Sequence, residues 1–308
     1  MFRKFLQTDG LSLERLHTLV LIAEAGSLKK ASGGDPGRQS RMSHHLRELS
    51  DFFHIPLTQF SGRVLILSPK GVELAQIARH QLSTLSTFKR SADVNDPEWK
   101  IGAGDSVLQW WIIPALGRSS RSLRWVLRNL RTSDIVSKVA NDELDFGVVR
   151  TDAVNGRIRS KLVGTIKHTI VVPRRLLSGN ISTRKALTEL PHATIGSDGQ
   201  LTAKLRKIAS NHGGVFEPKL KCDSLGLCLA AVRTGKYAAV LPTYILDEGI
   251  VGDVEIVDAD LIDLNRPMAL IWNQTTLDRL GRAAEEIKEI LSAALLSSAP
   301  PDESKLEN

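Results

Sequence analysis

The chain has 308 residues and a formal net charge of +7, with 41 lysines and arginines against 34 acidic residues. This length suggests two or three domains with a sizeable core. No apolar run approaches the roughly 20 residues of a membrane span or forms a signal peptide, and the two cysteines are too few for a disulfide framework or a metal site. We therefore expect a cytoplasmic, reduced protein without a metal or cofactor and without a membrane partner.

The positive charge is concentrated near the amino terminus. Residues 1–90 contain 13 basic and 7 acidic residues, a net charge of +6, whereas residues 91–308 contain 28 and 27, a net charge of +1. Each phosphate that a cation neutralises releases condensed counterions, so this asymmetry is typical of a segment that binds a polyanion. A solubility feature or contact with anionic lipid would also be basic, but neither explains why cations share a helix face with Gln and Ser.

Three helices are predicted before residue 54. Spaced leucines outline the first helix, which ends at Gly26. Ser27 is suited to the N-cap of a second, short helix, and Asp35 and Pro36 are suited to cap and open a third. Residues 27–53 therefore predict two helices joined by a tight turn.

The third predicted helix has one apolar and one hydrogen-bonding face. Met42, Leu46, Leu49 and Phe53 recur at helical spacing and are expected to pack on the core. The opposite face lacks carboxylates and carries groups that bond phosphates or base edges, as the second helix of a helix-turn-helix does. That face consists of Gln39, Ser40, Ser43, His44 and Arg47. An ordinary solvated helix in a helical hairpin is the alternative.

A hairpin and a long helix are predicted next. Ser61-Gly62 separates two short extended runs, which would add a wing with Arg63 near its tip. From Pro69 to about Arg90 the sequence predicts a helix. Its spacing resembles a coiled-coil seam for a dimer, although this face could instead pack on the chain's own first helix. The seam residues are Ala75, Ala78, Leu82 and Leu85.

From Glu98 strands and helices alternate, which predicts a mainly parallel α/β region. The predicted strands are Lys100–Ala103, Leu123–Leu130, Asp145–Val149, Thr169–Val172, Ala193–Ile195, Leu220–Cys222, Ala238–Leu241, Glu255–Val257 and Ala269–Trp272. The predicted helices are Ser106–Leu116, Ile135–Asn141, Leu201–Asn211, Leu225–Arg233 and Leu277–Leu296. Residues 93–97 are interpreted as a linker and the last dozen residues as a disordered tail.

The motifs in this order resemble LysR-type transcriptional regulators. Residues 11–89 resemble their DNA-binding end, through LERLHTLVLIAEAGSLKKAS, RQSRMSHHLREL and LSPKG before a long helix. IGAGDSVLQWWIIPAL, VANDELDFGVV and SLGLCLAAVRTGKYAAVLP resemble their effector-binding domain. The resemblance implies an α+β multidomain protein with four parts. These are a winged helix-turn-helix at 1–68, a linker and dimerisation helix at 69–92, a two-lobed α/β domain like periplasmic binding proteins at 93–296, and a tail at 297–308.

The resemblance also implies function and partners. Such regulators bind promoter DNA as homodimers or homotetramers and respond to a small-molecule effector. Carried over by position, the DNA-binding residues would be Gln39, Ser40, Arg41, Ser43, His44, Arg47 and Arg63. The chain departs from the family pattern at Asp35-Pro36-Gly37 in the turn, at His44 in place of a usual Arg, and at Thr58 and Phe60, where Phe and a basic residue are common.

An effector pocket is expected between the two lobes, at the carboxyl ends of strands. The candidate ligand-binding residues are Ser106, Gln109, Arg150, Ser197 and Thr243. Ser106 opens a helix and Arg150 ends a strand, so together they favour a small organic anion. A plain N-cap for Ser106 and a salt bridge for Arg150 are the alternatives.

Two other functions stay open from the residues alone. Gly104-Asp105-Ser106 resembles the nucleophile block of a Ser hydrolase, but no Asp precedes a His at the spacing of such enzymes, so we expect no enzymatic activity. A DNA-binding protein with a degenerate, ligand-independent sensor domain is the other alternative. Cys222 and Cys228 are expected to be buried small groups, with redox sensing as the less favoured interpretation.

Overall fold

The computed structural model describes residues 10–91, 98–118, 123–154, 156, 158–177, 179, 181–196, 199–248, 253–257 and 264–298. The chain divides into two compact units. The first comprises Met1–Val94 with Asn141–Glu143, and the second comprises Asn95–Ala140 with Leu144–Asn308. The predicted linker at 93–97 and all but the first two residues of the predicted tail lie outside the described residues. The domain limits drawn from the sequence stay predictions.

The first unit is a three-helix arrangement with a two-stranded hairpin and a long helix. Its elements are α1 (Leu13–Ala25), α2 (Leu28–Ala31), α3 (Pro36–Phe53), β1 (Thr58–Ser61), β2 (Val64–Leu67) and α4 (Pro69–Ser91). The two strands pair antiparallel, with Ser61 opposite Val64 at the turn. The winged helix-turn-helix predicted from the sequence is confirmed.

The helix ends in this unit are fixed by local hydrogen bonds. Ser27 Oγ accepts from the backbone amide of Lys30 (3.3 Å), and Asp35 Oδ1 accepts from the amide of Arg38 (2.8 Å). Gly26 ends α1 in the left-handed region at φ 75°, which a glycine adopts without steric cost. The predicted caps are therefore the observed ones.

The core of the first unit corrects the predicted dimer seam. Ala75 of α4 is buried in the same cluster as Leu19 and Ile22 of α1, and Ala78 is also buried. Small side chains let the two helices approach closely, so this stripe packs within the chain. The predicted dimer seam is therefore wrong at Ala75 and Ala78. The large apolar side chains that α4 leaves exposed include Ile77, Leu85 and Phe88.

Ser68 joins the wing to α4. Its hydroxyl donates to the carbonyl of Pro56 (2.8 Å) and accepts from the amide of Gly71 (3.1 Å), while its own amide donates to the carbonyl of Leu57 (2.9 Å). A Cβ on Gly71 would collide with the same Leu57 carbonyl. The LSPKG sequence is thus a capping junction that admits only a glycine at its end.

The second unit contains two five-stranded sheets. The first sheet has the order β4-β3-β5-β12-β6 and the second has the order β11-β7-β10-β8-β9. The strands are β3 (Glu98–Ala103), β4 (Arg124–Asn129), β5 (Phe146–Arg150), β6 (Arg159–Ile166), β7 (His168–Pro173), β8 (His192–Ile195), β9 (Leu220–Cys222), β10 (Ala238–Pro242), β11 (Val254–Val257) and β12 (Arg266–Trp272).

Both sheets are mixed, so the expectation of a mainly parallel region is wrong in detail. The strand β3 pairs parallel with β4 and β5, but β12 pairs antiparallel with both β5 and β6. In the second sheet β8 is parallel to its two neighbours, whereas β7 is antiparallel to β10 and β11. The chain passes from β6 in one sheet to β7 in the other through Lys167 alone.

The helices of the second unit lie between these strands. They are α5 (Asp105–Val107), a π-helical turn (Leu108–Ile112), α6 (Ile113–Gly117), α7 (Thr132–Ala140), α8 (Thr183–Thr188), α9 (Gly199–Asn211), α10 (Leu225–Arg233), α11 (Gln274–Leu280) and α12 (Arg282–Ser298). The last predicted helix is broken in two at Gly281, which has φ 71°. Among the described residues no helix is both long and apolar enough to cross a membrane.

Candidate nucleic-acid groove and ligand cleft

The exposed face of α3 and the wing enclose a groove of about 1080 Å³ in the first unit. All seven residues proposed from the sequence as DNA contacts line it. Its described lining comprises Leu28, Lys29, Pro36, Gly37, Gln39, Ser40, Arg41, Ser43, His44, Arg47, Phe60, Arg63, Val64 and Leu65. The fold thus brings the wing tip and the recognition face of α3 to one surface, although their contact with DNA stays a prediction.

This groove is cationic. Lys29, Arg41, Arg47 and Arg63 line it, and none of its described lining residues carries a carboxylate. The hydroxyl and amide groups of Gln39, Ser40 and Ser43 lie between these cations on α3. Such a surface can bond both phosphate oxygens and the donor and acceptor atoms of base edges.

The helix α3 also carries a carboxylate, that of Glu48, and an arginine of α1 forms an ion pair with it. Arg15 donates two hydrogen bonds of 2.7 Å to the two oxygens of Glu48, and this bidentate bond lowers the pKa of the Glu48 carboxyl below its ordinary value. His44 Nε2 lies 3.5 Å from Glu48, and the Arg47 guanidinium donates to His44 Nδ1 at 3.0 Å. The network compensates the negative charge of Glu48 and links His44 and Arg47, two side chains that line the groove.

The second unit holds a cleft of about 790 Å³ at the carboxyl ends of β3, β4, β5, β8 and β10. Ser106 and Arg150 both line it. Gln109 is exposed and Thr243 is partly exposed with a buried hydroxyl, but neither belongs to the described lining of the cleft, and Ser197 lies outside the described residues. Two of the five candidate ligand residues are therefore brought together, and ligand contact by any of them stays a prediction.

The cleft contains cations that the sequence reasoning missed. Arg131 and Arg266 line it beside Arg150, together with His168, and no described lining residue is acidic. Arg131, Thr132 and Ser133 follow β4 and open α7, a strand-to-helix pattern like that around Ser106, so the same reasoning could have found them. Arg266 had no such signal, because the strand containing it was predicted to begin three residues later.

The polar wall of the cleft includes a neutral phenol. Burial raises the pKa of Tyr244 to about 12, against smaller opposing effects of the Ser106 hydroxyl and the Arg266 charge. A neutral Tyr244 can donate to an anion that the arginines attract. The described lining of the cleft thus combines three arginines and a neutral phenol with apolar side chains, which include Val148, Ile195 and Met268.

The two cysteines lie in the second unit and are both free and buried, as expected. Burial, with a smaller effect of the neighbouring Cys222, raises the pKa of the Cys228 thiol to about 12. The thiolate is the reactive form, so this environment suppresses reactivity.

Comparisons with known proteins agree with this architecture. The family model described as the LysR substrate binding domain matches residues 92–295. The uncharacterized HTH-type transcriptional regulator YfiE of Escherichia coli (strain K12) is 27% identical over 157 residues, which are 48% of this chain and 54% of YfiE. The match thus spans about half the length of this curated relative.

Solved structures resemble the whole fold. The full-length regulator LysG of Corynebacterium glutamicum with bound effector Arg is 17% identical, with a TM-score of 0.57 over 94% of this chain and 100% of that chain. Full-length CbnR complexed with its target DNA is 14% identical, with a TM-score of 0.60 over 92% of this chain and 100% of that chain. The family model alone covers well over half of the sequence, and on that ground the chain belongs to the LysR family.

Proposed function

We propose that this chain is a DNA-binding transcriptional regulator whose second unit senses a small organic anion. The observation that carries the proposal is the groove of the first unit, in which four cations and three neutral hydrogen-bonding side chains share one surface without a carboxylate in the described lining. Support comes from family membership and from CbnR, a protein of the same fold that has been solved with target DNA. Catalysis forms no part of the proposal.

The test is capture of fragmented genomic DNA by the purified full chain, followed by sequencing. Wild-type protein should enrich a few promoter regions, and Arg47→Ala should lose them because Arg47 lies in the groove. Arg184→Ala is the matched control, since it removes an exposed arginine from α8 of the second unit. Enrichment nowhere at low salt would refute the regulator function.

Salt dependence separates a phosphate contact from a general loss of charge. Removing one phosphate-bonding arginine should make the slope of log K against log salt shallower by about one. We expect this of Arg47→Ala or Arg41→Ala on an enriched fragment, and no change for Arg184→Ala. Unchanged slope and affinity in both groove variants would remove α3 from the interface.

The anionic effector is inferred from the cleft. Arg131, Arg150 and Arg266 line it without an acidic residue in the described lining, and arginine binds carboxylates and phosphates bidentately. Arg150 Nε also pairs with Asp152 Oδ1 at 3.1 Å, the salt bridge that the sequence left open as its alternative role, so Arg131 carries the test. A ligand at 100 times its Kd stabilises the native state by about 2.7 kcal/mol. Small organic anions should therefore raise the Tm of the full chain, and Arg131→Ala should abolish that rise.

A panel of metabolites makes this test decisive. Neutral and cationic compounds of similar size serve as controls, and Arg184→Ala should respond to anions as the wild type does. If only neutral or cationic compounds raised the Tm, the cleft would not select anions. LysG was solved with bound Arg, so arginine belongs in the panel as a cationic control that also carries a carboxylate.

A further inference from the structure

Phe60 in the wing is more exposed than any other large apolar side chain in the described part of the chain, at 76%. It lies on β1 and lines the groove of the first unit with Arg63 and Val64. A single exposed apolar side chain is ordinary, but Phe60 shares the groove lining with the exposed Val64, and a group of exposed apolar side chains is typical of an interaction surface. The charged residues that line the groove are cations, so a partner is expected to carry negative charge.

The strand register explains why this ring overhangs the groove. Phe60 lies directly opposite Leu65, and cross-strand partners project from the same face of a hairpin. Leu65 packs on the buried cluster of the first unit. The face that carries Phe60 therefore turns toward α3, but Phe60 is two residues nearer the turn than Thr58 and its side chain stays 76% exposed.

Charge and shape together limit what can occupy this surface. Arg41, Arg47 and Arg63 attract a polyanion, but a phenyl ring has neither a positive charge nor a hydrogen-bond donor with which to bind a phosphate. It does match the apolar parts of a duplex, namely deoxyribose, thymine methyl groups and the faces of partly unstacked bases. Duplex DNA, the partner in the proposed function, presents these apolar parts beside its negative charges.

We propose that Phe60 is an apolar DNA contact of the wing, packed against sugar and base edges of the duplex bound in the groove, and that it contributes specificity without neutralising a phosphate. This inference rests on the proposed function. It differs from the role of Arg63 at the hairpin turn, which is placed to bind the phosphate backbone. The two side chains on one wing would then act through different physical forces.

The test measures the Kd of the full chain over a salt series on two duplexes. One duplex is selected by the wild type from a random-sequence library, and the other is an unselected duplex of equal length. Phe60→Ala should weaken binding to the selected duplex about tenfold, at the low end of what burial of a phenyl ring contributes. Its slope of log K against log salt should equal that of the wild type, because an apolar contact releases no counterions.

Matched variants separate the ring from charge and from folding. Arg63→Ala should make the slope shallower by about one, and Phe60→Lys should make it steeper by about one. Phe60→Leu should keep most of the affinity, and Val215→Ala, which truncates a 73% exposed side chain in the second unit, should change nothing. An unchanged Tm is expected for Phe60→Ala, since the ring is outside the core.

Two results would overturn the inference. Phe60→Ala could bind both duplexes as the wild type does, or it could lose salt dependence as Arg63→Ala does, which would indicate that the wing had moved. If the wild type selects no duplex at all, the proposed function fails as well. If the wild type selects a duplex and Phe60→Ala binds that duplex equally well, this inference fails and the proposed function stands.

Discussion

At the scale of single residues, the paired Arg15 and Glu48 show how an acidic group is accommodated on the helix that lines the cationic groove. Glu48 lies one helical turn from His44 on α3, and its two oxygens are engaged by one guanidinium from α1. An unpaired carboxylate there would repel phosphate. The pair also ties α3 to α1, so that one side-chain contact serves both the surface charge and the packing of the first unit.

The pair predicts a pH dependence of stability. The Glu48 carboxyl has a lowered pKa in the folded chain, chiefly because of the Arg15 hydrogen bond. Its contribution is therefore present above the unfolded carboxyl pKa and is lost as the pH falls through the lowered value. Glu48→Gln should lower the Tm at neutral pH, and the difference from the wild type should vanish in acid.

The control for this prediction is Glu73→Gln. Glu73 pairs with Lys70 on the exposed surface of α4, and such pairs contribute little. A Tm difference for Glu48→Gln that persisted unchanged into strong acid would contradict the assignment of the effect to the ionised pair.

The sequence predicted the groove residues better than the cleft residues, for a physical reason. The groove lies mainly on one helix, so the 3.6-residue period is enough to select its outward face. The cleft gathers side chains from strands far apart in the chain, and their grouping depends on the order of strands in two sheets. Arg266 enters the cleft only because β12 pairs between β5 and β6, which local pattern does not specify.

At the scale of elements, the junction between wing and α4 depends on one close approach. Ser68 caps the helix and holds Pro56 and Leu57 of the preceding loop, and Gly71 lies against the Leu57 carbonyl. A side chain at Gly71 must push β1 or α4 out of place. The wing is thus positioned by the first turn of the long helix.

We expect Gly71→Ala to destabilise the protein by about 3 kcal/mol, the upper part of the usual range for overpacking. Urea unfolding followed by circular dichroism measures this. The control is Gly117→Ala, because a Cβ there meets nothing within 4 Å. Equal stability of the two variants would show that the junction accommodates a Cβ at position 71 without a loss of unfolding free energy.

Elements were predicted from sequence where the local pattern is strong and missed where it is weak. The strand β9 and the helix α10 were predicted with the observed limits. The strand β6 was missed because it is at the edge of its sheet, with only Val163 and Ile166 buried along its length. The helix α8 has only six residues, too few for a helical period to be recognised.

At the scale of the whole molecule, α4 exposes several large apolar side chains to solvent. Phe88 is 71% exposed, and Ile77 and Leu85 are exposed on the same helix. The steps of 8 and 3 residues between them place the three near one stripe of the helix. Leu85 lies seven residues after Ala78, so this exposed surface borders the buried stripe of Ala75 and Ala78. We propose that the exposed surface pairs two copies of the chain.

Phe88→Glu should then convert an oligomer into the single chain of 33.8 kDa, because a charge replaces a large apolar contact at the interface. Sedimentation of the full chain measures the mass. Val215→Glu serves as the control, since it places the same charge at another exposed apolar position. An oligomer that survives Phe88→Glu would place the interface elsewhere.

The buried cysteines have a practical consequence for following the second unit. The chain has two cysteines, and both are buried in that unit, so an alkylating reagent can reach them only when the structure opens locally. The rate of alkylation would then report how often β9 and α10 part from their surroundings. A ligand held in the cleft should slow that chemistry, which provides an assay for effectors that needs neither DNA nor a known promoter.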